Sequence, residues 1–526
     1  MMSRHGGSAV DATIASLMCV GVVNAQSSGI GGGFMLTIYD PKEDDVTTMI
    51  ARESAPLFAH PDMFEDDPDA RVSGPLSIMV PREIWGYWEA WQKYGRVEWP
   101  VLFEDTIKLC RDGWPVSQHM ANAISSSMEE VLADPGLREQ YLHEDLTPYE
   151  AGEIMHDLEM ADTLETIANE GPHAFYNGSL SSTIIEELHS YGEYQEAQIL
   201  YYSIPMWYDP IKMELPHGQY SMWTPTTPSS GPVISFMLRV LDGHANDYET
   251  VEDRALVYHR ILEAFKFGFA RRPYLGDIEF ADEEVHEWID LLTNASYCEH
   301  IRSLINDSSV LEDYSPDGNN HQVPPHPDVK TSTTHLNAMG GDGLAVGATA
   351  TIGATFGSKT RGVTTGIVYN NMMNLFNTPE MTDISHNWPE PMKRGRSSTV
   401  PVTIMDNEGY VKLLVGGAGG PKIITSTVMV MVKYLWLGFD LERSVSAPTL
   451  NDENTGTVYY EPEFEQEVLD ILITKGHVIE DYESNLAVEH ALSADQCPVC
   501  WNDPSCRDNC IVGVSDYRKW GKPDGY

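Results

Sequence analysis

Thr333-Thr334-His335-Leu336-Asn337, followed by Thr349-Ala350-Thr351, is the stretch on which the reading of this chain turns. A threonine this deep in a sequence is ordinarily a strand residue, and the character of the chain changes here. Downstream, short β-prone segments at 334–339, 344–353, 363–369, 400–405 and 410–415 are separated by glycine or asparagine turns. Helices are expected at 421–437 and 441–447. Upstream, residues 97–190 read mostly as helices with acidic outer faces, and Ala255 to Lys266 is amphipathic. Residues 305–330 carry Asn, Asp, Ser, Pro and His without periodicity, as a linker does, and run straight into Thr331.

Nearer the start, residues 6–23 are small and apolar at helical spacing. Ser27 to Gly33 is a glycine loop, and Phe34 to Tyr39 a strand. The loop is not a dinucleotide fingerprint. Gly29 and Gly31 lack a third glycine at Phe34, and the loop precedes a strand instead of following one. Close backbone packing explains it better. Between Arg82 and Tyr94, Trp85, Trp88 and Trp91 recur a turn apart, as core-facing helical residues do.

The 526 residues carry 33 basic and 79 acidic side chains, a net charge of −46. That balance opposes binding to nucleic-acid backbones or anionic lipid surfaces. No run of 18 apolar residues exists, and no signal peptide follows Met1-Met2. Cys497, Cys500, Cys506 and Cys510 nevertheless crowd together near the end. Their C-x2-C-x5-C-x3-C spacing is tight for zinc, and two disulfides are favoured over a metal. Four cysteines allow three pairings. Cys19, Cys110 and Cys298 read as isolated buried thiols. Sequons begin at Asn177, Asn294 and Asn306. Together these predict a secreted protein, or one on the extracellular face of a membrane, with its targeting segment outside this sequence.

Several blocks, in order, resemble one family: Gly7–Gly33, Arg52-Glu53-Ser54-Ala55-Pro56, Ala174–Gly178, Thr333–Gly357, Gly366–Asn371, Ser397-Ser398, Gly419-Gly420, and the end from Arg518-Lys519 to Tyr526. The chain looks like a γ-glutamyltransferase (glutathione hydrolase), of the N-terminal-nucleophile hydrolase superfamily, over nearly its whole length. The resemblance implies an α+β fold, a four-layer αββα sandwich. It implies autocleavage between Ser332 and Thr333 into a large subunit, 1–332, and a small one, 333–526, that stay together as a heterodimer. Thr333 then gains a free α-amine beside its hydroxyl, so one residue carries nucleophile and base. By the same resemblance Thr351 orients that hydroxyl, Gly419 and Gly420 stabilise the oxyanion, and Arg52, Ser397 and Ser398 hold the substrate α-carboxylate. No metal or organic cofactor is implied.

One part of the pattern breaks. Where the family holds the α-ammonium with an Asn, a Gln or Glu, and an Asp, this chain has Gly353, Met372 and Leu375. A small shift in register would bring in Asn374, which is neutral. The segment matching the family's lid, Asn377 to Lys393, looks short and contains Trp388. The expected function is cleavage of γ-glutamyl or glutaryl-like amides through a Thr333 acyl-enzyme, with transfer to water or to an amino-acid or peptide acceptor. The competing expectation is a processed, secreted relative with weak or no transferase activity, acting as an effector or venom-type toxin.

Overall fold

The computed structural model describes all residues except 192–205, 218, 245–246, 320, 322–329, 483–485, 495–509, 520 and 526. Two antiparallel sheets face each other between two helical layers. The first sheet holds β1 (Gly33–Asp40), β2 (Asp45–Ala51), β3 (Met206–Tyr208), β6 (Thr331–Met339) and β7 (Ala345–Ala354), in the order β3-β2-β1-β7-β6. The second holds β4 (Ile211–Leu215), β5 (Tyr220–Thr224), β8 (Val402–Asp406), β9 (Val411–Ala418), β10 (Val488–Ser493) and β11 (Val512–Ser515). Its order is β11-β10-β9-β8-β5-β4. β9 and β10 lie across β6, which places residue 333 between the sheets.

Strands β1 and β7 are buried along almost their entire length, because each has a sheet on one face and helices on the other. They therefore read as continuous apolar or small-residue runs instead of alternating ones. The outer face of the first sheet is covered by α1 (Ala9–Val23), α2 (Glu83–Tyr94), α3 (Val101–Asp112) and α4 (Leu158–Glu170). Ser8 caps α1 reciprocally with Asp11, at 3.0 and 2.7 Å, which fixes where that helix starts. Trp88 packs on Trp91 and Trp99 at 4.9 and 5.1 Å, as a core cluster. The second sheet is covered by α5 (Gly231–Leu241), α6 (Val251–Arg271) and α7 (Lys422–Leu435). The result is the αββα sandwich expected from the sequence.

The glycine loop before β1 is a backbone-to-backbone contact. A Cβ on Gly31 would lie 2.1 Å from the Val368 carbonyl oxygen, so only glycine fits. Three expectations need correction. Residues 363–369 are not a strand; they form a turn with one isolated pairing, Arg361 to Val368. The Glu187 carboxylate takes the amides of Thr364 and Thr365 and the Thr365 hydroxyl, which competes with any sheet ladder. The chain before residue 333 is also less helical than read, since it supplies β2, β3, β4 and β5 besides β1. Cys19 is only partly buried, whereas Cys110 and Cys298 are buried. Cys510 is disulfide-bonded; Cys497, Cys500 and Cys506 lie outside the described residues.

Arg361, from the C-terminal part, is buried against the N-terminal part. Its guanidinium meets Asp157 at 2.9 Å and Gln140 at 3.3 Å. Removing one partner of a buried pair strands the other charge. Arg361→Leu is expected to lower stability by about 3–5 kcal/mol, read as a shift of the urea unfolding midpoint with an unchanged slope.

Candidate active site

β6 and β7 do not pair evenly. Ser332 faces Gly353 and Thr334 faces Ala350, so Thr351 and Ile352 together oppose the single residue Thr333. A bulge of this kind re-aims side chains. Here it sets the Thr333 and Thr351 hydroxyls 3.3 Å apart, both buried and both on one cavity. The Thr351 hydroxyl also donates to the Ser332 carbonyl oxygen at 2.7 Å and accepts from the Gly353 amide at 2.8 Å. The Ser332 hydroxyl is held at 2.6 Å by that of Ser27, in the glycine loop. The nucleophile candidate, its orienting hydroxyl and the carbonyl expected to be attacked thus form one hydrogen-bonded group.

The cavity has a volume of about 150 Å³. Gly420 stands on its wall, and a Cβ there would meet the Thr331 side chain at 2.7 Å. Gly419 adjoins it, at φ 150 against 64 for Gly420. This turn leads into α7, whose N-terminal end, at Pro421 and Ile423, also lines the cavity. Helix N-termini carry partial positive charge, which favours anion development at this wall.

Arg52, Ser397 and Ser398 meet on the same cavity. The Arg52 guanidinium is buried, with Nε 3.1 Å from the Glu53 carboxylate and Nη2 3.1 Å from the Met372 sulfur. Its Nη1 is buried without a hydrogen-bond partner among the described residues. Burial pulls the Arg52 pKa down and pushes that of Glu53 up. A guanidinium with unspent donors suits an incoming carboxylate. Ser397 Oγ is bonded to Thr399 Oγ1 at 2.8 Å, and Ser398 Oγ accepts from Arg272 Nη2 at 3.0 Å.

The three altered positions, Gly353, Met372 and Leu375, line this cavity too, together with Asn374. No side chain can return at 353 without rearrangement: φ is +98°, and a Cβ would sit 2.1 Å from Asn371 Oδ1. Asn371 spends that oxygen on the Ala354 amide and its Nδ2 on the Val72 carbonyl. Asn377 reaches the cavity from the lid segment, whereas Trp388 is not on its wall.

Sequence reasoning missed Lys519. Its ammonium donates to the Thr333 carbonyl oxygen at 2.9 Å, and burial lowers its pKa to about 8. The Arg518 guanidinium, paired with Glu461 at 2.8 Å and Asp516 at 3.0 Å, anchors that segment. The Arg518-Lys519 dipeptide was visible as a terminal motif, but nothing local tied it to residue 333. Arg71, Arg272 and Arg396 were also missed, and all line the cavity.

The family model for gamma-glutamyltranspeptidase matches residues 2–526. The rat (Rattus norvegicus) glutathione hydrolase 5 proenzyme is 33% identical, over 99% of this chain and 89% of its own. Scoloptoxin SSD14 of Scolopendra dehaani is also 33% identical, over 90% of this chain and 83% of its own. Among solved structures, a cephalosporin acylase from Bacillus halodurans superposes with a TM-score of 0.81. At 20% identity it covers 98% of this chain and 90% of its own, and it bears on the fold alone. The Helicobacter pylori gamma-glutamyltranspeptidase superposes with a TM-score of 0.54 at 25% identity, over 58% of this chain and 88% of its own.

Proposed function

The chain belongs to the γ-glutamyltranspeptidase family, and from that premise we propose that it is an autoprocessed amidohydrolase and acyltransferase working through Thr333. The observation that carries this reading is the Thr333 hydroxyl beside a Thr351 hydroxyl already bonded to the Ser332 carbonyl. In maturation, Thr333 Oγ attacks the Ser332 carbonyl carbon while Thr351 withdraws electron density from its oxygen. The peptide bond breaks as an ester forms, and the amine leaves with a proton. Water hydrolyses the ester, leaving 1–332 and 333–526 associated. The freed amine then takes the hydroxyl proton when Thr333 attacks a substrate amide. The oxyanion would meet the Gly419–Gly420 turn, where one lost donor typically costs about 3–4 kcal/mol.

Arg52, Ser397 and Ser398 would take a carboxylate on the acyl donor. Gly353, Met372 and Leu375 offer an ammonium no anionic partner, and a desolvated charge without its partner commonly costs about 2–5 kcal/mol. Donors without the amino group are therefore expected to be favoured. γ-Glutamyl and glutaryl p-nitroanilides test this. Chromophore release from either one, and none from Thr333→Ala, supports the enzyme; a strong γ-glutamyl preference refutes the donor assignment. No release from either anilide would favour the second reading, a processed noncatalytic effector, which draws on the altered wall and the toxin relative. An extracellular site of action is supported by the disulfide-bonded Cys510 and by the exposed positions of Asn177, Asn294 and Asn306.

A further inference from the structure

The cavity is lined by four guanidiniums, Arg52, Arg71, Arg272 and Arg396, against one carboxylate among its described walls, Glu453. That excess stands out in a chain with a net charge of −46. The four are not equivalent. Arg396 turns its Nη1 to backbone, donating to the carbonyls of Arg272, Pro273 and Leu275. Arg52 is paired with Glu53. Arg272 bonds the Ser398 hydroxyl, and among the described residues the only carboxylate acting on it is Glu453, which itself faces Lys422 at 3.9 Å. Among the described residues Arg71 forms no ion pair; Nη1 donates to the Phe376 carbonyl at 2.7 Å.

The position of Arg71 matters most. Phe376 follows Leu375 directly, so Arg71 stands at the wall where Met372 and Leu375 replace the polar and acidic residues expected there. The wall has no carboxylate at positions 353, 372 and 375, and a buried guanidinium stands beside it. Buried charges are retained where something pairs with them. The carboxamides of Asn374 and Asn377, on the same cavity, add neutral donors.

Building on the acyl-donor reading above, we propose that the donor's head carries two carboxylates on one carbon, the second standing where a γ-glutamyl group has its ammonium. Arg52, Arg272, Ser397 and Ser398 take the first carboxylate, and Arg71 with Asn374 takes the second. Three compounds differing at one substituent isolate the claim: glutarate (hydrogen), glutamate (ammonium) and propane-1,1,3-tricarboxylate (carboxylate).

Calorimetric titration of the purified full chain with each compound needs no turnover, so its outcome is separate from whether the anilides are hydrolysed. The tricarboxylate is expected to bind at least tenfold more tightly than glutarate, and glutamate to bind weakest. Arg71→Gln should abolish the tricarboxylate advantage and leave glutarate unchanged within about threefold. Arg71→Lys, which keeps the charge, should retain most of it. Arg272→Gln should weaken all three compounds. Glutarate or glutamate binding tightest to the wild type would overturn the proposal, whatever the variants do. So would a tricarboxylate advantage that survives Arg71→Gln.

Discussion

Purified Thr333→Ala is expected to run as a single chain of 58.7 kDa, whereas the wild type separates into two fragments on a denaturing gel. The reason is local. The Thr333 hydroxyl is the one beside Thr351, and Thr351 is bonded to the carbonyl on the other side of the scissile bond. Removing that hydroxyl leaves the carbonyl polarised but with nothing placed to attack it. Without an attacking oxygen no ester can form, so the acyl shift from nitrogen to oxygen has no first step. Thr333→Ser keeps an attacking oxygen and should still split. N-terminal sequencing of the smaller fragment should begin at residue 333. A Thr333→Ala protein that yields the same two fragments would remove the mechanism.

The second large effect concerns donor choice. Met372→Glu with Leu375→Asp is expected to raise the γ-glutamyl to glutaryl ratio of kcat/KM by about 30-fold to several thousand-fold. Both side chains line the cavity, and Met372 is fully buried, so new carboxylates would face the substrate in a poorly hydrated space. Glu at 372 would also meet Arg52, whose Nη2 touches the Met372 sulfur. Leu375→Asp alone is therefore the cleaner variant, with an expected change of about tenfold or more. Gly353→Asn is not expected to help, because Asn371 fills the space its Cβ needs. An unchanged ratio in both variants would show that this wall does not contact the donor head.

The site was legible where its parts are strung along the chain in recognisable blocks. Thr333, Thr351, Gly420, Arg52, Ser397 and Ser398 come from four separate segments and converge on one cavity. The strands at β6 to β9 were readable because β-prone runs alternate there with turns. The strand read at 363–369 failed because a carboxylate from a distant helix, Glu187, captures its amides. Arg71, Arg272, Arg396 and Lys519 were missed for a related reason. An arginine in a short helix or near the C-terminus looks like any solvated charge until the fold brings it to residue 333. Burial is a property of the packed molecule, and one sequence carries no direct sign of it at a charged position.

The uneven pairing at Thr333 bears on how maturation could end. Hydrolysis there would fall where the ladder already skips. Downstream, six register pairs from Thr334–Ala350 to Met339–Ala345 would keep the new head of the chain pinned. Upstream, the severed tail keeps two ladder pairs, Ser332–Gly353 and Thr331–Ala354, with the Ser27–Ser332 hydroxyl contact and the Thr355 amide on the Lys330 carbonyl, and Thr331 forms part of the cavity rim. So short a hem can peel away without unravelling the sheet, so the cut that creates the attacking amine would also clear the doorway in front of it.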